Sequence, residues 1–231
     1  MSCLILTAYT RYPDHMVKPF VNSLLNTGYD DEYEVLKWKH SAKHEWPIDT
    51  YRLHLFYQYL KKSGKKYKTV MISDIRDVEF QKDPRGIEHS ELDCYLEDDS
   101  MTIGKCRFNS KWIREFYGED ELEKLKNKRI SCSGIMIGTK EGIEYYLRSI
   151  IEEAIRTGNR KWGSHQGIHN YLIHNNKLKC RLVENEHGDV YTVGHVNGIL
   201  IKKHVIYDRK GHVPHIVHQH DRHITMLNDW K

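Results

Sequence analysis

Residues 69–84 read TVMISDIRDVEFQKDP, and they are the most informative segment of the chain. Thr69–Ile72 is a short run of β-branched and apolar residues, which is typical of a buried β-strand. Asp74 and Asp77 follow where that strand is expected to end. In open α/β sheets, ligands bind beyond the carboxyl ends of the strands. The segment therefore predicts a buried strand that delivers two carboxylates to a binding site.

The chain before this segment alternates between strand and helix patterns. Cys3–Ala8 and Glu34–Trp38 are predicted strands, and a predicted helix with apolar residues at helical spacing follows each of them. We expect Asp14 to cap the first helix, and Asp49 or Thr50 to cap the second. Such alternation predicts an α/β fold with a mostly parallel, twisted central sheet and helices on both faces.

The second half of the chain continues this alternation less regularly. Its predicted strands are Leu92–Leu96 and Ile130–Ile137, with charged surface helices between them. A long amphipathic helix capped by Thr139 precedes a shorter helix. Residues 205–219 are expected to form a β-hairpin. Because no repeat or linker interrupts the pattern, residues 1–231 are predicted to form one domain.

The composition argues against several classes of protein. The net charge is only +4 over 231 residues, and basic residues alternate with acidic ones, so no nucleic-acid partner is required. The five cysteines are scattered without a CxxC pair, which argues against a disulfide framework or a thiolate zinc site. The sequence shows no basic leader and no apolar stretch of membrane-spanning length. We therefore expect a cytoplasmic protein without a transmembrane segment.

The two carboxylates of the opening segment suit a divalent cation. Hard cations such as Mg²⁺ prefer oxygen ligands, and in nucleotide sites one or two carboxylates hold the ion while phosphate oxygens and water complete its coordination. Asp74 and Asp77 could instead form a surface ion pair or a turn. The spacing alone leaves both interpretations open.

Four segments together resemble a known family. DIRDVEFQKDP resembles the D-x-R-D-V-x-F-Q-x-D-P form of the DxD region in GT-A glycosyltransferases, especially small enzymes of bacterial surface-polysaccharide and large-virus glycosylation systems. SGIMIG (Ser133–Gly138) is similar to the strand that lines the donor sugar in that group. SHQGIHNYL (Ser164–Leu172) is similar to its D-Q-x-x-x-N segment, and VHQHDR (Val217–Arg222) is similar to its closing H-Q-Y-D-R segment. The segments follow the family's order, so the chain resembles a GT-A, nucleotide-diphospho-sugar transferase-like domain.

The resemblance implies ligands for a cation and for a nucleotide. It makes Asp74 and Asp77 the expected Mn²⁺ or Mg²⁺ ligands, although two residues separate them where a strict DxD has one, so either could bind sugar or arginine instead. His218 matches the C-terminal histidine that many GT-A enzymes use as a further cation ligand, and a structural role is the alternative. The residues that the resemblance assigns to the nucleotide are Thr7, Ala8, Tyr9, Arg11 and Arg52, with Tyr9 stacking on the base.

The resemblance also implies sugar contacts and a catalytic segment. Arg76, Ser133 and Gly134 are the expected donor-sugar contacts. In SHQGIHNYL, His165 stands where the family usually has an acidic residue, and it is the expected proton acceptor if its imidazole keeps its usual pKa. Gln166 is expected to bind the donor sugar or to stabilise positive charge at the anomeric carbon with its amide oxygen. The alternative is that both residues only begin a helix.

The predicted function is metal-dependent transfer of a hexosyl group from a nucleoside diphosphate sugar, with a UDP-sugar as the expected donor. The acceptor is expected to be a hydroxyl of a glycan or glycolipid, and the H-Q segment resembles retaining members of the family more than inverting ones. Two other classes stay open: a non-catalytic nucleotide- or glycan-binding module, and a metal-dependent hydrolase with His and Asp ligands. Whether the domain belongs to a longer multi-domain glycosyltransferase is also left open.

Overall fold

The computed structural model describes residues 2–40, 46–158, 161–186 and 188–223. Its helices and strands follow the predicted alternation through most of the chain. The helices are α1 (Lys18–Asn26), α2 (Ile48–Ser63), α3 (Arg107–Tyr117), α4 (Glu119–Leu125), α5 (Lys140–Thr157) and α6 (Ser164–His174). The strands are β1 (Cys3–Tyr9), β2 (Glu32–Lys37), β3 (Thr69–Ser73), β4 (Val78–Phe80), β5 (Leu92–Leu96), β6 (Ser131–Gly138), β7 (Arg181–Val183), β8 (Val190–Thr192), β9 (Leu200–Lys202), β10 (Val205–Tyr207) and β11 (Ile216–His218).

Six strands form the central sheet, in the order β2-β1-β3-β6-β5-β7. Strand β6 is antiparallel to both of its neighbours, β3 and β5, whereas the other neighbouring pairs are parallel. The predicted α/β fold with a mostly parallel central sheet is therefore confirmed. Among the described residues, no helix has both the length and the apolar character that a membrane span requires.

Both faces of the sheet are covered because apolar side chains alternate along its buried strands. Leu4, Leu6 and Ile72 point to one face and pack with side chains of α2, α5 and α6. Ile5 and Met71 point to the other face and pack with α1 and with apolar residues of β4, β8 and β11. Full burial of one such side chain stabilises the fold by about 1.5–3 kcal/mol. Two apolar layers therefore hold the sheet between them.

A second, three-stranded sheet brings the end of the described chain next to the opening segment. Strand β11 lies between β4, with which it pairs antiparallel, and β8, with which it pairs parallel. In this register His218 lies opposite Val78, at the start of β4. The residues that follow β3 and the residues that end β11 therefore lie side by side.

The predicted hairpin within residues 205–219 is wrong. A turn does form there, with the Gly211 amide donating to the Asp208 carbonyl at 3.0 Å and Gly211 at φ +88°. However, β10 pairs with β9, whereas β11 pairs with β4 and β8. Every residue of β11 is buried, so its backbone groups need ladder partners inside the core, and β4 and β8 supply them.

Two of the predicted helix caps are also wrong, while a third is confirmed. Helix α1 begins at Lys18, and the Asp14 carboxylate instead accepts a hydrogen bond from the Tyr9 hydroxyl at 2.8 Å. Asp49 lies inside the first turn of α2, where the residue before the helix is Pro47. The Thr139 hydroxyl accepts from the Gly142 amide at 3.0 Å and caps α5 as predicted.

Candidate functional site

A cavity of about 380 Å³ opens beyond the carboxyl ends of β1 and β3. Four of the five residues expected to bind a nucleotide, Ala8, Tyr9, Arg11 and Arg52, line it. Thr7 is buried, and its hydroxyl donates to the Ser73 carbonyl at 2.9 Å. Thr7 is therefore not among the described residues that line the cavity, and its expected hydrogen bonds to a nucleotide stay a prediction.

The rings best placed for stacking differ from the one that the sequence suggests. Tyr9 lines the cavity but is only 7% exposed. Tyr12 is 38% exposed, lies under the Arg76 guanidinium at 5.9 Å, and lines the same cavity together with Trp38. An aromatic residue beside Arg11 is a signal that sequence reasoning could have used, whereas Trp38 lies beyond the end of β2 and carries no such signal.

Backbone strain marks the same wall of the cavity. Arg11 has φ +65°, in the left-handed region that residues other than glycine seldom occupy. Non-glycine residues in this region are concentrated at binding and catalytic sites, where the surrounding structure holds them. Arg11 lies two residues after the end of β1 and lines the cavity.

The predicted cation ligands lie together, with Asp74 and Asp77 in the lining of the cavity and His218 buried beside them. The Nε2 atom of His218 is 3.5 Å from Asp74 Oδ2 and 3.8 Å from Asp77 Oδ1. One candidate ligand atom from each of the three residues lies within 4.8 Å of the other two. Asp74 directly follows β3, Asp77 precedes β4, and His218 ends β11. Pairing of β11 with β4 therefore assembles the cluster from distant parts of the chain.

Gly134 allows this close approach. A Cβ atom at this position would lie 2.2 Å from His218 Cε1, 2.6 Å from His218 Nε2 and 2.9 Å from Asp74 Oδ2. The Gly134 carbonyl also accepts a hydrogen bond from the Asp74 amide at 2.7 Å. Only glycine, which has no side chain, therefore fits at this position of β6 beside the cluster. Gly134 therefore contacts two of the expected cation ligands, His218 and Asp74.

The charges around the cluster favour a cation between the carboxylates. Burial raises the pKa of the Asp74 carboxyl, but Arg52, with which it forms an ion pair, and His218 lower that pKa well below its usual range. Burial raises the pKa of Asp77. Burial lowers the pKa of His218, but Cys132 and the two carboxylates raise it well above its usual value. The electrostatic potential at His218 Nε2 is therefore negative.

The residues present fit a divalent cation of the Mn²⁺ or Mg²⁺ class. The His218 side chain is 1% exposed, and within the described chain its Nε2 atom is buried without a hydrogen bond. Its Nδ1 atom lies 3.5 Å from Cys132 Sγ, which fixes the direction of the ring. Two carboxylates and one imidazole suit such ions, which complete their coordination with water and phosphate oxygens. This nitrogen faces two carboxylates at 3.5 Å and 3.8 Å, so it could share a cation with them or, when protonated, form an ion pair with them.

The expected donor-sugar contacts lie close to this cluster. Arg76 lines the cavity, is 45% exposed, and pairs with Asp221 at 2.7 Å. Ser133 also lines the cavity. Gly134 lies beneath the aspartates, as described above. The three residues therefore surround the acidic cluster from the solvent side and from β6.

Gln166 holds β6 in place with both ends of its amide. Its Oε1 atom accepts from the Ser133 amide at 2.8 Å, and its Nε2 atom donates to the Ser131 carbonyl at 2.8 Å. Its Nε2 atom also lies 3.3 Å from Asn109 Oδ1. Gln166 also lines the cavity, but its amide oxygen binds the backbone of β6, so its expected contact with the donor sugar or the anomeric carbon stays a prediction. Its observed contacts hold β6 in position.

His165 is buried against the neighbouring helix. The residue is 1% exposed, and its Nε2 atom lies 2.8 Å from the Tyr146 hydroxyl of α5. Burial and the nearby Arg52 charge lower its pKa well below the usual value. The expectation of an imidazole with its usual pKa is therefore corrected. This environment favours a neutral ring with a structural role over a general base.

A wall of tryptophans was missed by sequence reasoning. Trp112 of α3 and Trp162, just before α6, line the cavity. Asp49 also lines it, and its carboxylate accepts from the Gly163 amide at 2.9 Å. Periodicity could not identify these residues, because Trp112 sits on a helix whose pattern reads as charged surface, and Trp162 lies in a connection.

The sequence was compared with models of known protein families and with curated proteins. No family model matches the chain, and no curated protein is significantly similar to it. The GT-A resemblance of its motifs therefore stays a prediction, and the chemistry of the cavity is the basis for a proposal.

Proposed function

We propose that this protein is a divalent-cation-dependent glycosyltransferase of the GT-A fold. It transfers a hexosyl group from a nucleoside diphosphate sugar, with a UDP-sugar as the expected donor, to a hydroxyl of a glycan or glycolipid. The observation that carries the proposal is the Asp74–Asp77–His218 cluster, whose two carboxylates line the cavity and face the buried imidazole.

The architecture supports the proposal. The cavity lies at the carboxyl ends of parallel strands of an open sheet, which is where nucleotides bind in α/β folds. Tyr12 and Trp38 offer faces for a base, and Arg11 and Arg76 offer positive charge for phosphates. Trp112 and Trp162 also line the cavity and offer aromatic faces for an acceptor.

The charges of the cluster give a physical reason for metal dependence. Asp74 and Asp77 would repel a diphosphate placed beside them, since like charges a few ångströms apart in a partly buried site repel strongly. A bound Mn²⁺ or Mg²⁺ supplies the positive charge that stabilises the departing diphosphate. Arg52 holds the Asp74 carboxylate from below, and Gly134 keeps His218 close to it. These residues orient the ligands before the donor binds.

The proposed transfer balances without a redox partner. The acceptor oxygen forms a bond to the anomeric carbon, and the bond between that carbon and the diphosphate oxygen breaks. The electron pair of the broken bond leaves with the diphosphate, whose oxygen accepts the proton of the acceptor hydroxyl. Enzymes accelerate transfers of this type mainly by orienting the two substrates and by stabilising the charge of the leaving group.

A non-catalytic nucleotide-binding module is the second candidate. The observation that favours it is that both residues expected to act in catalysis are engaged in structural contacts, His165 with Tyr146 and Gln166 with the backbone of β6. Such a module would bind the nucleotide and the cation through the same cluster but would not turn over the donor.

One titration series tests the proposal and separates the two candidates. UDP binding is measured by calorimetry with Mn²⁺ and with excess EDTA, and nucleotide release from a panel of UDP-sugars is then followed. We expect binding to depend on Mn²⁺ and to be lost in Asp77→Asn, while Asp30→Asn, on the exposed Arg85 ion pair, behaves as wild type. Equal UDP affinity with Mn²⁺ and with EDTA contradicts the proposal. Metal-dependent binding without release from any UDP-sugar favours the module.

A further inference from the structure

Three aromatic rings form a surface cluster beside the cavity, which we call the aromatic platform: Phe108, Trp112 and Trp162. The rings of Phe108 and Trp112 stack with their centroids 5.8 Å apart and their planes 29° apart. Trp162 meets Trp112 edge to face, with 5.3 Å between centroids, and meets Phe108 at 6.3 Å. The three rings therefore form one continuous apolar surface.

This surface is unusually open to water. Trp162 is 65% exposed and Phe108 is 55% exposed. Large aromatic side chains contribute most to stability when they are buried, so a cluster of exposed ones indicates a ligand contact. The platform contributes little to the core in this arrangement.

The platform joins the proposed donor cavity to an adjoining groove. Trp112 and Trp162 line both the cavity and a groove of about 470 Å³. Charged side chains border the groove: Lys111 and Lys161 lie 3.9 Å and 3.6 Å from the Glu115 carboxylate. The groove thus combines flat apolar rings with hydrogen-bonding groups at its border, and it opens into the place where transfer is proposed.

The platform is also held in a fixed position. Gly163 has φ +85°, and a Cβ at this position would lie 2.0 Å from Trp112 Cε2, so the backbone packs directly on that ring. The Gly163 amide donates to the Asp49 carboxylate at 2.9 Å, and Asp49 is anchored on α2. A Cβ at Gly167 would also lie 3.0 Å from Trp112 Cβ. Glycines without side chains therefore let α3 and α6 approach closely and set the rings before a ligand arrives.

We propose that the aromatic platform is the acceptor subsite, and that it binds a β-linked hexopyranose ring by stacking of the sugar's C–H face on Trp162. Its role in transfer rests on the glycosyltransferase function proposed above. β-Linked hexopyranoses of the gluco configuration present axial C–H groups on the ring face and hydroxyls at the ring edge. The Trp162 and Phe108 rings match the face, and Lys111, Glu115 and Lys161 match the edge.

Charge and position favour a sugar over the other ligands of aromatic surfaces. A nucleobase has its own candidates, Tyr12 and Trp38, which line the cavity and not the groove. An anionic membrane surface attracts clusters of basic residues, whereas both lysines of the groove face Glu115. The groove therefore suits a neutral ligand with many hydroxyls.

Sugar binding can be measured without metal or nucleotide, and this separates the two proposals. Cellotetraose and chitotetraose are titrated against the protein in EDTA and followed by saturation-transfer NMR. We expect at least one of them to bind, Trp162→Ala to weaken binding about tenfold or more, and Trp162→Tyr, which keeps an aromatic face, to restore most of it. Leu200→Ala, an exposed apolar position on β9, serves as the control and leaves binding unchanged.

Several outcomes overturn this inference. It is wrong if neither tetrasaccharide binds the wild-type protein, or if Trp162→Ala binds as the wild type does. It is also wrong if Trp162→Ala weakens Mn²⁺-dependent UDP binding as much as sugar binding, because the platform would then belong to the donor. Binding to phosphatidylcholine–phosphatidylglycerol vesicles in place of sugar assigns the platform to a membrane surface. If the wild-type protein binds sugar but shows no metal-dependent UDP binding, the transferase proposal is wrong and the sugar-binding inference stands.

Discussion

Replacement of Gly134 by alanine tests the candidate metal site without changing any of its ligands. The added Cβ would lie 2.2 Å from His218 Cε1, where an ordinary contact begins at 3.4 Å, so the ring must retreat by about 1 Å. His218 is 1% exposed and sits on a fully buried strand, so it has little space to move. The Gly134 backbone itself does not need glycine, because its φ lies outside the left-handed region. The substitution therefore acts through the Cβ contact.

Both stability and metal affinity are expected to fall in Gly134→Ala. Overpacking of a filled site costs about 1–3 kcal/mol. For a chain of 231 residues this corresponds to a melting temperature lower by roughly 3–10 °C. A cation ligand displaced by about 1 Å should lose affinity by about 10–100-fold, as happens when the groups that orient a ligand are removed. Thermal melts by circular dichroism and Mn²⁺ titration in the presence of UDP measure the two effects.

Gly28→Ala is the matched control. Gly28 has φ +84°, and a Cβ added there would meet no atom within 4 Å, so alanine strains the backbone without touching the cavity. We expect a cost of about 1–2 kcal/mol with unchanged Mn²⁺ affinity. If Gly134→Ala binds Mn²⁺ as the wild type does, the close packing of β6 against His218 is not part of the metal site. If both variants lose Mn²⁺ affinity equally, instability alone explains the loss.

Three further predictions concern the surroundings of the site. Burial lowers the pKa of His169 to about 3, so between that pH and pH 6.5 the unfolded chain binds a proton at this side chain and the folded chain does not. His169 should therefore lower the free energy of unfolding by about 2 kcal/mol from pH 7 to pH 5. Urea titrations should show a smaller decrease in His169→Gln than in the wild type. Burial raises the pKa of Cys106, but the hydrogen bond with His195 lowers it to about 7, whereas burial raises the pKa of Cys94. Iodoacetamide at pH 7 should therefore label Cys106 faster than Cys94, as measured by mass spectrometry. His195→Gln should slow the labelling of Cys106. Gln166→Ala leaves a backbone amide of β6 without its partner and should cost about 1–3 kcal/mol in thermal melts, with weaker Mn²⁺-dependent UDP binding. Unchanged values in these three measurements contradict the respective contacts.

The strands of the central sheet could be predicted because burial leaves a direct trace in the sequence. The predicted strand Leu92–Leu96 has the bounds that the structure shows, and Thr69–Ile72 differs from β3 by one residue. The direction of β6 could not be predicted, since an apolar run reads the same in a parallel and in an antiparallel strand. Local sequence patterns therefore indicate which segments are buried, but not which strands pair with each other or in which direction.

The helix caps show why local rules fail near a binding site. Asp14 and Asp49 both stand where a capping residue is expected, yet their carboxylates bind the Tyr9 hydroxyl and the Gly163 amide. Both aspartates help to place residues that line the cavity. Tertiary contacts of this kind have no fixed spacing, so capping rules could not foresee them. The same holds for the stacking of Trp112 on the Gly163 backbone.

The polar side chains of α6 explain how the acidic cluster can form. The ladder between β5 and β6 shifts register, so that Tyr95 faces Cys132 while the preceding Cys94 faces Met136. The intervening backbone of β6 would lose ladder partners, at a cost for each unsatisfied buried group. Gln166 of α6 supplies one such partner by accepting from the Ser133 amide, and Gln166 and Asn170 also bind the backbone of Ser131, beside the bulge.

This bulge has a functional consequence. The residues released from the ladder include Gly134, whose carbonyl binds the Asp74 amide and whose missing side chain admits the His218 ring. The amides of α6 therefore act on the candidate metal site through β6, without contacting the expected ligands. Replacing Gln166 and Asn170 by apolar residues of similar size does not change the three expected cation ligands. It should nevertheless weaken cation binding, because the geometry of these ligands depends on the bulge.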